Sequence, residues 1–279
     1  MRVLRVFPRR TSYTPTDEMV AVGEPGFFRP APSEVDEVHV SATFSWDRKA
    51  AERLAQAWAV PYPNVQVGGP AFQSPVVGFT AGLYVRQGVT FTTRGCNNHC
   101  PWCIVPELEG PLRLISEPSP GHILQDNNLL QAPRSHVDKV FRMLRRQGRG
   151  VDIKGGLDAR LVDDWVAEEL RGLAVRYLFL SCDYPAAIAP LRQAARRLSF
   201  LDREHLRCYV MVGRDGETVD QAIDRLVEVY AVGCMPFAML YQPLEDEKRI
   251  DYGPRWRRLQ KLYTRPALTK MAVHGKIFV

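Results

Sequence analysis

Val89-Thr90-Phe91-Thr92-Thr93-Arg94-Gly95-Cys96-Asn97-Asn98-His99-Cys100-Pro101-Trp102-Cys103 is the stretch on which the fold of this chain turns. Val89 to Thr93 reads as a strand, and a C-x3-C-x2-C loop leaves it directly. Cubane iron–sulfur clusters use four cysteine thiolates, one for each iron. Three ligands without a close fourth leave one iron open to another ligand, which is an arrangement for chemistry rather than electron storage alone. The ferredoxin spacings C-x2-C-x2-C-x3-C-P and C-x4-C-x2-C do not fit. Structural zinc sites use two separated C-x2-C pairs, or one pair with downstream histidines. Here Cys100 and Cys103 form the single such pair. A zinc site or free thiols is the competing reading.

Downstream of the loop, strand and helix patterns alternate. Strands are expected at His122–Gln125, Val151–Gly155, Val175–Ser181, Leu206–Val212 and Pro236–Tyr241. Helices are expected from Ser135, capped with Asp138, to Gln147, then near 162–173, 186–198 and 218–231. This alternation predicts an α/β fold with parallel strands joined by right-handed crossovers. Six such units would make an open, partial (β/α)6 barrel, with its chemistry at the carboxyl ends of the strands. Residues 253–264 read as a closing helix, and 271–279 as a strand or a cover for the barrel bottom.

Residues 1–88 are rich in proline and glycine and form the expected first domain, with 89–279 as the second. Glu37–Phe44 reads as a strand, Ser45 as the cap of a helix to Trp58, and Asn64–Val67 as a strand stopped by Gly68-Gly69-Pro70.

The cysteine loop resembles the signature of the radical S-adenosylmethionine superfamily, C-x3-C-x-aromatic-C, with Trp102 in the aromatic slot. The resemblance implies that Cys96, Cys100 and Cys103 hold a [4Fe–4S] cluster. It implies that S-adenosylmethionine chelates the fourth iron through its amino and carboxyl groups. Thr92 through Cys96, with Cys103-Ile104-Val105-Pro106, is similar to members that carry a cobalamin-binding-like or methylthiotransferase-type N-terminal domain. The first domain resembles a truncated flavodoxin-like, cobalamin-binding segment. It lacks the D-x-H-x-x-G motif that supplies the cobalt ligand, and His39 reads as a sheet residue.

The resemblance also implies cofactor-binding roles for residues that follow the strands. Asp126 and Asn127 are candidates for the cofactor's ammonium. Arg160 suits the methionyl carboxylate, and Asp158 a ribose hydroxyl or a helix cap. Ser181 is placed to bond the ribose or carboxylate. Gly213, ending the hydrophobic run from Tyr209, is placed beside the adenine. Cys182 and Tyr184, with Tyr241 and Gln242, are candidate substrate contacts. Cys182, Cys208 and Cys234 recur every 26 residues, which matches the strand–helix period more than a ligand set. With Cys182 ending one strand and Cys208 opening the next, about 20 Å would separate them.

The implied enzyme cleaves S-adenosylmethionine reductively to a 5′-deoxyadenosyl radical, with flavodoxin or ferredoxin as reductant, and modifies a substrate. The net charge of +6 favours a nucleotide or nucleic acid, although the basic clusters also read as solvated helix faces. No cysteine precedes Cys96, which weighs against methylthiolation. A peptide or small metabolite stays open as substrate. The reading from another class is a non-catalytic iron–sulfur or zinc protein. The first ten residues lack a continuous apolar run, and no stretch of about 18 apolar residues occurs. A cytoplasmic location, where thiols stay reduced, is therefore expected, with no membrane association.

Overall fold

The computed structural model describes residues 1–72, 80, 82–214, 216–243 and 250–277. Its internal contacts divide the chain into two units, Met1–Val89 and a second beginning at Thr90.

The first unit contains β1 (Val3–Phe7), β2 (Val20–Val22), β3 (Glu37–Ser41), α1 (Arg48–Ala59) and β4 (Val65–Gly68). The strands pair in parallel in the order β2-β1-β3-β4. Alternate residues Leu4, Val6, Val38 and Val40 share a core with Ala51, Leu54 and Trp58 of α1. Those three helix positions are spaced three and four apart, so they form one apolar stripe. β1 and β2 were not expected from the sequence. Ser45 does not cap α1: Ser45–Asp47 forms a separate 3-10 turn, and α1 starts beyond it without a side-chain cap. His39 lies within β3 as expected, its ring held by Glu37 at 2.7 Å and by the Tyr84 hydroxyl.

The second unit is α/β and is built on a six-stranded sheet in the order β12-β11-β10-β9-β8-β5. The strands are β5 (Val89–Thr90), β8 (Ile123–Leu124), β9 (Val151–Leu157), β10 (Val175–Ser181), β11 (Leu206–Val212) and β12 (Met235–Leu240). From β8 to β12 every neighbouring pair runs parallel. β6 (Thr93–Arg94) and β7 (Arg113–Leu114) form a separate antiparallel pair. The helices are α2 (Val105–Glu109), α3 (Arg134–Arg146), α4 (Asp164–Arg171), α5 (Ile188–Arg197), α6 (Val219–Ala231), α7 (Pro254–Tyr263) and α8 (Pro266–Val273). Residues of α3 to α7 share one core with Ile153, Leu178, Leu180, Val210 and Ala238 of the strands.

Several local expectations need correction. The strand expected over Val89–Thr93 breaks between β5 and β6. The cause is Asp126, whose carboxylate takes the Thr92 N–H at 2.6 Å and ends the ladder there. Ser135 does not cap α3; the helix begins at Arg134 after Pro133, with no side-chain cap bond. Over its described part the tail forms no strand: residues 271–273 end α8, and Ala272, Val273 and Ile277 pack against the core of the second unit. The tail continues from α8, where Thr269 donates to the Leu262 carbonyl at 3.0 Å.

The distance argument about Cys182, Cys208 and Cys234 also fails. Strand register pairs Leu180 with Cys208, and the Cys182 N–H reaches the Tyr209 carbonyl at 2.9 Å. β11 is therefore staggered toward the end of β10, and the three thiols lie near enough to raise one another's pKa. All three are fully buried in the core, and burial is the largest cause of their raised pKa values.

Candidate functional site

The cysteine loop connects β6 to α2 and is tied to the segments that follow four successive strands. Beyond β8, the Asn97 N–H donates to Gln131 Oε1 at 2.8 Å. At the end of β9, Asn98 Nδ2 donates to Asp158 Oδ2 at 3.1 Å. Beyond β10, Asp183 accepts hydrogen bonds from the Trp102 side chain and, at 2.9 Å, from the Met211 N–H of β11. Beyond β11, the Arg214 guanidinium lies over the Trp102 ring, 3.8 Å from its centroid. The Tyr184 ring packs against the indole at a tilt, with ring centroids 5.8 Å apart. The loop thus sits at the carboxyl ends of β8 to β11.

Its entry is fixed by two devices. Gly95 has φ of +78°, and a Cβ there would lie 2.2 Å from the Pro111 carbonyl oxygen, so the turn needs glycine. Glu109, at the end of α2, accepts from the Gly95 N–H at 2.8 Å and from Asn127 Nδ2 at 2.7 Å, and pairs with Arg94. Neither Glu109 nor Asn98, Gln131 and Arg214 was singled out from the sequence. Asn98, lying between two cysteines of the loop, was the one with a local signal.

Cys96 is buried, Cys100 half-buried and Cys103 exposed. Loss of solvation around the sulfurs pushes the Cys100 and Cys103 thiols above their ordinary pKa, although Cys103 as a residue is exposed. The neighbouring cysteines and Asp183 add to the rise, and Arg160 counters it at Cys100. The three sulfurs are therefore electrostatic neighbours. Among the described residues, no group of three or more His, Cys, Asp or Glu side chains is drawn together to hold a metal ion. The donor chemistry fits a cluster better than a single ion: the set is three thiols, a cubane takes its protein ligands as thiolates, and closed zinc sites complete four ligands. A metal bound here would have to displace these protons, so the raised pKa values would make loading easier at higher pH.

The other expected residues are placed as follows. Asp126 is turned into the protein: its oxygens accept from the Thr92 N–H and hydroxyl, so the expected ammonium acceptor is already engaged. Burial raises its pKa and the Thr92 bonds oppose the rise. Gly155 makes this approach possible, because a Cβ there would lie 1.9 Å from the Asp126 carbonyl oxygen. The Asn127 amide is directed to Glu109. Arg160 forks onto Asp158, with Nε 2.9 Å and 3.1 Å from its two oxygens, so the guanidinium expected to meet a cofactor carboxylate holds a protein carboxylate here. Asp158 also accepts from the Arg160 N–H and caps the following 3-10 turn. Ser181 is exposed at the end of β10. Gly213 donates to Glu217 Oε2 at 2.9 Å and lies under the Tyr252 ring. Gln242 is bonded to Ile250 through Oε1 at 2.8 Å.

No protein-family model matches this chain, and no curated protein sequence matches it either. No described helix is long and apolar enough to cross a membrane.

Proposed function

We propose that this protein is a radical S-adenosylmethionine enzyme whose second unit is an open, partial (β/α)6 barrel. The single observation that carries the proposal is the three-cysteine loop, tied through Gln131, Asp158, Asp183 and Arg214 to the carboxyl ends of four successive strands. Parallel strand–helix folds carry their chemistry at that end.

A [4Fe–4S] cluster bound there with S-adenosylmethionine would supply the one-electron reduction that cleaves the sulfonium and starts radical chemistry on a substrate. Cys96, Cys100 and Cys103 would hold the cluster as thiolates. Asn98, Glu109 and Asp183 keep the loop that carries those thiols in one conformation, which is the positioning work a protein performs for a cofactor. Trp102 and Tyr184 pack beside the loop, with Arg214 stacked on the indole. Arg160 exchanges Asp158 for a ligand carboxylate when one is present, because half its side chain is already exposed. Flavodoxin or ferredoxin is the proposed reductant, and the first unit is read as a flavodoxin-like remnant without cobalamin. A nucleotide or nucleic acid is the proposed substrate class, resting on the charge of +6.

The test is anaerobic reconstitution with iron and sulfide, followed by strong reductant and S-adenosylmethionine. Formation of 5′-deoxyadenosine and methionine in equal amounts is expected. Their absence from protein that has taken up iron and sulfide would contradict the proposal.

A further inference from the structure

A groove of about 390 Å³ lies between α3 and the segment Ser116–Pro118, outside the cysteine site. Its helix wall uses His136, Lys139, Val140, Met143 and Arg146, spaced three and four apart on one stripe of α3, with Arg142 alongside. Three of these side chains are permanent cations at neutral pH. Glu117 is the one carboxylate among the described lining residues.

The cations are only weakly engaged within the protein. Lys139 Nζ donates to the neutral Ser116 carbonyl at 3.0 Å. Arg142 pairs with Asp138 one turn back, an exposed pair of the kind that is weak and readily exchanged. Arg146 makes no ion pair among the described residues. A second feature of the groove is independent of these charges. His136 is 92% buried in its wall (8% exposed), and its Nε2 has no hydrogen-bond partner among the described residues. A buried polar nitrogen without a partner is costly unless something completes it.

We infer that this groove binds a phosphate monoester, with Lys139, Arg142 and Arg146 as its cationic ligands and His136 as a polar wall. Three cations against Glu117 and the Asp138 paired with Arg142 leave one net positive charge, which favours an anion such as phosphate. Arginine forks grip phosphate oxygens in pairs, and lysine adds a mobile point charge. The volume falls within the range of small-ligand sites, about 300–1,000 Å³, so the occupant is a small phosphorylated molecule rather than a polymer backbone. The groove is separate from the proposed cluster site and does not depend on that reading.

The test is calorimetric titration of the full-length protein with inorganic phosphate, pyrophosphate, a nucleoside 5′-monophosphate and a single-stranded oligonucleotide without terminal phosphate. Phosphate and the monophosphate are expected to bind. Arg142→Ala/Arg146→Ala should weaken both at least tenfold. Glu117→Gln, which removes the opposing charge, should tighten them. Both substitutions fall on the groove rather than the core, and thermal melting confirms folding of each variant. Absence of phosphate binding at millimolar concentration would overturn the inference. So would undiminished binding by the folded double variant, or binding of the oligonucleotide alone.

Discussion

Asn98 Nδ2 donates to Asp158 Oδ2 at 3.1 Å, joining the cysteine loop to the end of β9 across 60 residues of chain. Asp158 is also gripped by Arg160, which holds its carboxyl below the usual range against the opposing effect of burial. The carboxylate is thus ionised and accepts from both sides. Asn98→Ala removes one anchor of a loop that carries three thiols, with little loss of core packing. The expected result is unchanged thermal melting and about tenfold less S-adenosylmethionine cleavage, equivalent to about 1.4 kcal/mol of lost positioning. Asn98→Asp sets two carboxylates against each other and is expected to be worse than alanine. Melting curves and product formation on both variants check this.

Gly155→Ala is expected to destabilise the second unit by about 1–3 kcal/mol, the usual range for overpacking. The added Cβ would lie 1.9 Å from a backbone oxygen of Asp126, and backbone cannot swing away as a long side chain can. Urea unfolding should show a lower midpoint with an unchanged slope.

The sheet of the second unit was largely legible because β9 to β12 carry apolar runs separated by helical periodicity. Val175–Ser181 and Leu206–Val212 fall at the expected bounds. Stagger was not legible: residue counts place Cys208 at the start of a strand, and only pairing with Leu180 shows how near it comes to Cys182. The break after Thr90 was hidden for a similar reason, because it depends on a buried carboxylate 34 residues away in sequence. In the candidate site the cysteines and Trp102 were readable as a local pattern. Glu109, Gln131 and Arg214 were not, since each acts through a contact that no local spacing encodes. Asp126 was chosen as a polar residue after a strand, yet its environment turns it inward.

Thiol chemistry should divide the six cysteines into two classes. Cys182, Cys208 and Cys234 are buried, and burial raises Cys182 and Cys234 to about 12. They are expected to resist alkylation until the chain unfolds. Cys103 and Cys100 should react in the native, metal-free protein, Cys103 first because it is exposed. Their raised pKa values mean that the rate should keep climbing above the ordinary thiol pKa of about 8.5. Mass spectrometry of alkylated peptides over a pH series reads both effects.

Asp126 and Asp152 are expected to give opposite pH signatures. Burial raises the Asp126 carboxyl, so the native state holds its proton more tightly than the unfolded chain. Its contribution to stability is full below the unfolded value of about 3.9 and is lost as pH rises through the native value. Asp152 is held below its ordinary range by Arg176 and Lys154 in spite of its burial. Its contribution is present above about 3.9 and is lost as pH falls through the native value. Asp126→Asn, which keeps an acceptor for the Thr92 N–H, should become more stable relative to the parent protein as pH rises from about 4. Asp152→Asn should lose about 2 kcal/mol at neutral pH, where the hydrogen bonds from Arg176 and Lys154 to a charged partner are at full strength. Urea unfolding between acid and neutral pH separates the two slopes.

The most direct measurement of the central claim is the metal content of the anaerobically reconstituted protein, read together with the electron paramagnetic resonance spectrum of its reduced form. About four irons per chain are expected, as a cubane requires. The reduced spectrum should change on adding S-adenosylmethionine, and the iron should be lost when Cys96, Cys100 or Cys103 is replaced by alanine. One zinc per chain, or a four-iron spectrum indifferent to S-adenosylmethionine, would contradict the account.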